Sequence, residues 1–317
     1  MTPDEVTRVS WFLTGATATG KTRYALALAR ELDAEIISMD SMAIYRGMDV
    51  GTAKPRRSQL AETPHHLIDV VDPEEEFSVA QYVEAAHRAV AEIQARGRPV
   101  LFVGGTPLYL KALLRGIFQG PPANWELRRE IEREATAIGG DALFRRLEQI
   151  DPVAASNIHP NDTRRLIRAL EVFRATGQPI SHQQLQFDDA RSPEDCRVFV
   201  LQRSREEQHA RINLRVERMI ERGLLDEVRG LTSAGRTLGR TARQAVGYRE
   251  ALQHLAGELS REQMIDKIKS RTRQFAKRQA TWFRSLRECR SFPIAGKVDP
   301  LVTAQRIVCS VEKNGSG

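Results

Sequence analysis

Cysteine is scarce in this chain. Its 317 residues include three, Cys196, Cys289 and Cys309. They lie far apart, and no pair has zinc-ligand spacing, which argues against a zinc ribbon and a disulfide scaffold. Free thiols of this kind belong in a reducing compartment, so the cytoplasm is the expected location. Also missing is an apolar run long enough to cross a bilayer. The first fifteen residues are acidic early and run straight into a strand-like segment. They lack the basic-then-apolar order of a signal peptide. No internal repeat or low-complexity tract interrupts the chain. The remaining class is a soluble globular protein, with an insertion in one large domain or two domains.

What is present is an ordinary globular mixture, 41% apolar and 28% charged. The net charge of +7 suits a polyanionic partner, although a merely basic soluble protein explains it equally well.

The first third reads as α/β. Residues 9–14 form a short apolar run ending in glycine, which predicts a strand. An apolar helix follows Lys21. A second strand is expected at 35–38 and a third at 99–103. Between them Ser78 and Gln81 make a capping box, and Val79, Val83, Ala86, Val90 and Ile93 follow at helical spacing. Strands alternating with helices predict a parallel sheet covered on both faces. The pattern changes at 119–122. From there to about 193 helices dominate, at 125–138, 141–150 and 163–176. Residues 197–201 return to strand, Ser204 and Glu207 open another helix, and the rest reads as helical to about 290. The last long helix repeats Ile265, Ile268, Thr272, Phe275, Gln279, Trp282 and Leu286 at three- and four-residue steps, which predicts a packed seam. The tail at 314–317 is expected to fray.

One motif carries phosphate chemistry. Gly15-Ala-Thr17-Ala18-Thr19-Gly20-Lys21-Thr22 fits G-x-x-x-x-G-K-[ST], with a strand before and a helix after. Such a loop turns backbone N–H groups and a helix N-terminus toward an anion. Lys21 adds a point charge, and the Thr22 hydroxyl is placed to hold Mg²⁺. NTP hydrolases carry a metal-binding aspartate at the end of a nearby strand. Here the strand before Gly104-Gly105-Thr106 ends without an acid. The acid stands after the second strand, at Asp40. That weakens an ATPase and leaves a nucleotide or small-molecule kinase as the alternative enzyme.

Residues 40–55 form a long, polar, glycine-punctuated stretch where a plain connection is usually short. An aspartate just past a parallel strand lies on the edge where α/β folds bind ligands. Asp40 and Lys21 are therefore expected to face one cleft. Two further candidates are Arg211 and Arg215. Spaced i, i+4, they share a helix face and suit a diphosphate clamp, or equally a pairing with Glu207. His66 reads better as a structural histidine than as part of a pocket.

Six segments in order now resemble bacterial tRNA dimethylallyltransferases: residues 15–22, 40–55, Pro64-His65-His66-Leu-Ile-Asp69, Gly104-Gly105-Thr106-Pro-Leu-Tyr109, 161–172 and Lys277-Arg278-Gln279-Ala-Thr-Trp282-Phe283-Arg284. The resemblance runs from about residue 10 to 290. It implies a P-loop NTPase-like parallel sheet flanked by helices, with an inserted all-helical domain. The core would comprise 1–118 and 196–317, and the insertion 119–195. It also implies transfer of a dimethylallyl group from dimethylallyl diphosphate to N6 of adenosine 37 in tRNA.

Under that resemblance the phosphate loop holds the donor's diphosphate rather than ATP, through Gly15, Thr17, Ala18, Thr19, Gly20, Lys21 and Thr22. Asp40 resembles the general base, with Lys21 and Thr106 beside it. Asp40, Ser41, Met42 and Ala43 resemble the segment touching the target base. Thr106 and Arg128 resemble single tRNA contacts. Arg164, Arg165, Leu166, Ile167 and Arg168 resemble one tRNA-contacting stretch, and Lys277, Arg278, Gln279, Trp282 and Arg284 another. Periodicity alone assigns Trp282 to the seam. The partners implied are the anticodon stem-loop and dimethylallyl diphosphate, the cofactor Mg²⁺, and the state a monomer. Two departures stand out. The phosphate loop has Ala16 where the family usually has proline, and Thr163-Arg164 stands where proline-glutamine is usual.

Overall fold

The computed structural model describes residues 1–117, 120–121, 123–183 and 191–312. It divides into two compact units, Met1–Leu114 with Ala190–Gly317, and Arg115–Asp189. The domain boundary expected at 118–119 and the frayed tail expected at 314–317 lie outside the described residues. No helix among the described residues is long and apolar enough to cross a membrane.

The larger unit is built on six parallel strands: β1 (Ser10–Gly15), β2 (Glu35–Ser38), β3 (His65–His66), β4 (Val100–Gly104), β5 (Val198–Gln202) and β6 (Cys289–Pro293). Their order is β3-β2-β4-β1-β5-β6. All six residues of the central strand β1 are buried. Strands covered on both faces must be apolar on both, which is why β1, β4 and β5 read as unbroken hydrophobic runs. Leu13, Ile36, Leu101 and Phe199 meet Tyr24 and Leu28 of the helix Lys21–Leu32, and Ala304 and Ile307 of the helix Pro300–Glu312. Phe12 and Phe102 stack with ring centroids 4.9 Å apart.

β1, β2, β4 and β5 lie within one residue of their expected positions. β3 and β6 were not foreseen. β3 has two residues, below any periodicity signal. β6 is an edge strand ending in proline, a residue that edges tolerate. Helix therefore does not continue to 290; it stops at Ser285. The last long helix, Arg261–Ser285, keeps Ile268 and Gln279 of the expected stripe buried, as is Leu286 just past its end, but departs from the rest. Met264, Ile268, Ala276, Gln279 and Phe283 are inside, whereas Phe275 is 38% exposed and Trp282 only half-buried. A 3.5-residue stripe needs a supercoiled partner; a straight helix keeps 3.6 and drifts off it.

The smaller unit is helical throughout its described elements: Trp125–Ile138, Gly140–Ile150, Pro152–Asn157, Thr163–Thr176 and a 3-10 turn at Ile180–Gln183. The two longest helices have a side-chain cap at their start. Asn124 accepts from the N–H of Glu126 and Leu127, and Asp162 from that of Arg165. Gly177 in the left-handed region ends the last of them. Ile131, Leu143, Leu147, Leu166, Ile167 and Leu170 form the core.

Candidate functional site

Three connections leave the C-terminal edge of the sheet side by side, after β1, β2 and β4. The β2 and β4 ends are stitched together. Met39 N–H donates to Val103 O at 2.7 Å, and Thr106 N–H to Met39 O at 3.2 Å. Gly104 is required there, because a Cβ would sit 1.9 Å from the Met39 carbonyl oxygen. Ser41 N–H donates to Thr106 Oγ1 at 3.0 Å, and Asp40 Oδ1 accepts from Met42 N–H at 2.9 Å. The Asp40 turn and Thr106 are thereby one constellation.

Beside it the phosphate loop has each carbonyl from Gly15 to Thr19 held by a side-chain donor. Lys21 Nζ donates to Gly15 O and Ala16 O at 2.9 and 3.0 Å. Gln208 donates to Thr17 O at 3.0 Å, Arg211 to Ala18 O at 2.7 Å and Arg203 to Thr19 O at 2.9 Å. Carbonyls drawn outward leave amide groups inward, at the N-terminus of the helix Lys21–Leu32, where N–H groups have no intrahelical acceptor. Thr17 is gripped hardest. Its Oγ1 accepts from Arg215 at 3.3 Å and its N–H donates to Gln279 Oε1 at 2.8 Å.

The Asp40 charge acts on the cations at the phosphate loop. Burial lowers the Lys21 pKa to about 8, with Asp40 pulling it up and Arg215 adding to the fall. Burial likewise lowers Arg215, and Asp40 opposes it. Tyr82 and Tyr109 stack at 3.7 Å, and burial raises both phenols, with the Asp40 charge contributing. A carboxylate beside a cationic anion cradle can accept a proton at one end of a small molecule whose phosphates lie at the other.

The polar stretch after Asp40 is pinned rather than loose. Glu227 accepts from the N–H of Asp49, Val50 and Gly51 at 2.9, 2.6 and 3.2 Å, and from Tyr248 Oη at 2.6 Å. Lys54 bridges Asp49 and Asp69 at 2.8 and 2.5 Å. Arg215 Nη2 reaches Thr52 O at 3.1 Å, tying this stretch to the phosphate loop.

Arg211 and Arg215 thus lie against the phosphate loop, through its oxygens and not through Glu207. Glu207 pairs with Arg203 instead. Sequence reading missed Arg203, Gln208, Glu227 and Tyr248. Gln208, Arg211 and Arg215 fall at i, i+3 and i+7, a stripe that could have been found. His66 is structural. Its Nε2 meets the Glu35 carboxylate at 2.7 Å, which Arg96 also holds at 2.8 and 3.0 Å. Glu35 begins β2, at the opposite edge of the sheet from Asp40, and the Arg96 and His66 contacts lower its pKa to about 2 against the penalty of burial.

The residues expected at RNA divide. Lys277, Arg278 and Arg284 are exposed on their helix, whereas Gln279 is 4% exposed and faces the phosphate loop. Ala43 is buried, and Ser41 and Met42 are half-buried. In the smaller unit Leu166 and Ile167 enter the core, so only the arginine side chains of 164–168 turn outward. Arg128 and Arg168 meet the buried Glu171 at 2.9 and 2.6 Å, and Arg128 lies over the Trp125 ring at 4.8 Å. Elsewhere in the larger unit Leu238, Arg240, Arg243, Gln244 and Arg249 line a cavity of about 560 Å³, a basic surface not anticipated.

Residues 43–286 match the family model described as IPP transferase. A tRNA dimethylallyltransferase of Rhodopirellula baltica is 50% identical over 286 residues, covering 88% of this chain and 86% of that protein. Among solved structures, the tRNA isopentenylpyrophosphate transferase of Bacillus halodurans is 37% identical with a TM-score of 0.69, over 98% of both chains. A eukaryotic dimethylallyltransferase described as acting on tRNA is 26% identical with a TM-score of 0.76, over 97% of this chain and 79% of that one. With the family model matched over residues 43–286 and a curated relative 50% identical over 88% of the chain, the chain belongs to the IPP transferase family, that of the tRNA dimethylallyltransferases.

Proposed function

We propose that this chain transfers a dimethylallyl group from dimethylallyl diphosphate to N6 of adenosine 37, beside the anticodon of tRNA, and releases diphosphate. One arrangement supports this above all: Asp40 leaves the sheet beside the 104–106 turn, where Thr106 N–H holds Met39 O and a Cβ on Gly105 would lie 3.3 Å from Lys21 Nζ, and the Asp40 charge acts on both Lys21 and Arg215. A carboxylate beside a phosphate cradle suits one small allylic donor.

The N6 lone pair forms the new bond to the donor's allylic carbon. The carbon–oxygen bond breaks, and its electron pair leaves with the diphosphate. The N6 proton passes to Asp40, a general-base contribution of roughly 10²–10⁴-fold. Charge growing on the diphosphate oxygens is met by Lys21, the loop N–H groups, Arg211 and Arg215. Arg215 spends one N–H on Thr17 and one on Thr52, which leaves other guanidinium donors for phosphate. Thr106 fixes the Asp40 turn through Ser41, so the base would be read by Ser41, Met42 and Thr106 together.

Mg²⁺ suits the donor set. Among the described residues no group of three or more His, Cys, Asp or Glu is placed to hold a metal. Mg²⁺ commonly takes few protein ligands and completes its shell with phosphate oxygens and water. Thr22 would hold it, and when bound it would supply further positive charge to the leaving group.

The adenine stands in the anticodon stack and has to be extruded, which is least costly in a single-stranded loop. Lys277, Arg278, Arg284 and Arg243 on the larger unit, and Arg128, Arg164, Arg165 and Arg168 on the smaller, supply positive charge for the stem-loop backbone. The protein works as a cytoplasmic monomer. Incubation with labelled dimethylallyl diphosphate and tRNA tests the whole reading. Labelled tRNA and free diphosphate are expected; ADP formed from ATP with a phosphorylated acceptor would replace this assignment with a kinase.

A further inference from the structure

The basic helix Arg261–Ser285 presents two opposed sides. At 100° per residue, Lys277, Thr281 and Arg284 point away from Gln279. They are exposed; Gln279 is buried at 4% exposure. The Gln279 amide is engaged in two directions. Oε1 accepts from Thr17 N–H at 2.8 Å, and Nε2 donates to Gly105 O at 2.5 Å. A Cβ on Gly105 would lie 2.8 Å from that nitrogen and 3.3 Å from Lys21 Nζ, so glycine is what lets the amide in beside the lysine. On the other side of the same residue, Gln208 Nε2 donates to Thr17 O at 3.0 Å. Two glutamines from two helices therefore clip Thr17 by its N–H and its carbonyl. These contacts shape the loop that would cradle the donor's phosphates.

We infer that Gln279 is a positioning residue for the diphosphate donor and not a contact to RNA, although it lies within the stretch that resembles an RNA-binding segment. It withdraws Thr17 N–H from the anion's reach and holds the loop against Gly105, so that Lys21 and the helix N-terminus are pre-set. Pre-organised donors cost no rearrangement when the anion arrives, and that advantage disappears when the strut is cut. The inference rests on the donor-binding reading above for what the loop holds, and not on the transfer step.

The test measures two affinities separately on the full chain, for inorganic diphosphate with Mg²⁺ and for an anticodon stem-loop RNA. For Gln279→Ala, diphosphate binding should weaken about ten-fold, the scale of one buried hydrogen-bond pair, with RNA binding within about two-fold of wild type. Gln279→Glu is the second variant. It keeps the shape and an acceptor for Thr17 but opposes Gly105 O and places negative charge beside Lys21, so diphosphate binding should weaken further. In steady state, donor KM should rise while tRNA KM stays. Lys277→Ala provides the contrast, losing RNA affinity and keeping diphosphate. Loss of RNA affinity in the Gln279 variants with diphosphate binding intact would overturn the inference. Its fate is separable from that of the proposed reaction: a wild-type chain that binds diphosphate but prenylates no tRNA sinks the latter alone.

Discussion

Two sets of arginines in this molecule, one at the phosphate loop of the larger unit and one on the helices of the smaller, are satisfied in different ways. In the larger unit, Arg211 and Arg215 donate to loop carbonyls and a hydroxyl. A neutral acceptor fixes the geometry but leaves the charge uncancelled. In the smaller unit, Arg128 and Arg168 share Glu171, Arg146 and Arg174 share Glu134, and Arg165 meets Asp162. There the partner is a carboxylate, and at Glu171 and Glu134 two guanidinium groups per carboxylate leave a net positive charge with a rigid frame. Burial alone would raise the Glu171 carboxyl, but Arg128, Arg168 and the Asn124 N–H hold it below its ordinary value. One unit is built to aim charge at a small anion, the other to display charge on a helical scaffold.

The largest expected effect belongs to the larger unit. Asp40→Ala should lower transfer by about 10²–10⁴-fold while tRNA binding survives, measured by single-turnover prenylation and by RNA affinity. A variant that transfers normally would mean the cleft's carboxylate has no part in the chemistry. Next comes the frame of the smaller unit. Glu171→Ala leaves two arginines without their shared carboxylate. It should destabilise that unit by roughly 2–3 kcal/mol, toward the low end for broken buried pairs because Arg128 and Arg168 are partly exposed. Hydrogen exchange should report the loss in 125–176 and leave the six-stranded sheet unchanged. Equal loss in both units would show that the smaller one has no stability of its own.

A smaller effect tests the uncancelled charge. Free Lys21 loses its proton near pH 8, because burial disfavours the ammonium. A diphosphate binds the protonated form, so above the donor's own last phosphate ionisation at about pH 6 affinity should be flat up to the lysine's pKa and fall by up to about ten-fold per unit beyond it. Lys21→Arg, which stays charged, should abolish the fall even if it binds less well. A profile flat to pH 10 in the wild type would mean that the lysine is not the group the anion meets.

Most of the phosphate cleft could be read from the chain. The loop motif, the strand before it and the aspartate after β2 are local features, each legible within a few residues. The capping boxes at Ser78 and the helix limits at 125–138 and 163–176 were legible for the same reason, since a cap is a short-range hydrogen bond. What could not be read joins distant positions. Gln279 meets Thr17 across 262 residues and Glu227 meets Val50 across 177. Neither pairing leaves a trace in spacing. Gln279 fell on the expected seam, and only the fold shows that a polar seam residue was needed there. Phe275 went the other way, because the predicted stripe had a coiled-coil period and the helix has none to follow.

The finest distinction is between two arginines three residues apart. Arg165 faces Asp162 at 3.4 Å with both side chains well exposed, an i, i+3 pair of the kind worth about 0–1 kcal/mol. Arg168 instead supports buried Glu171 at 2.6 Å and donates to Pro121 O at 3.0 Å. Arg165→Ala should therefore leave thermal stability within about 0.5 kcal/mol of wild type. If its charge serves RNA phosphate, tRNA affinity should drop roughly three-fold, and the dependence of log affinity on log salt should become shallower by about one. Arg168→Ala should lower stability as well as affinity, since it removes part of the frame along with a charge. Matching losses of stability in both variants would erase the line between an arginine that holds the scaffold and one that is carried on it.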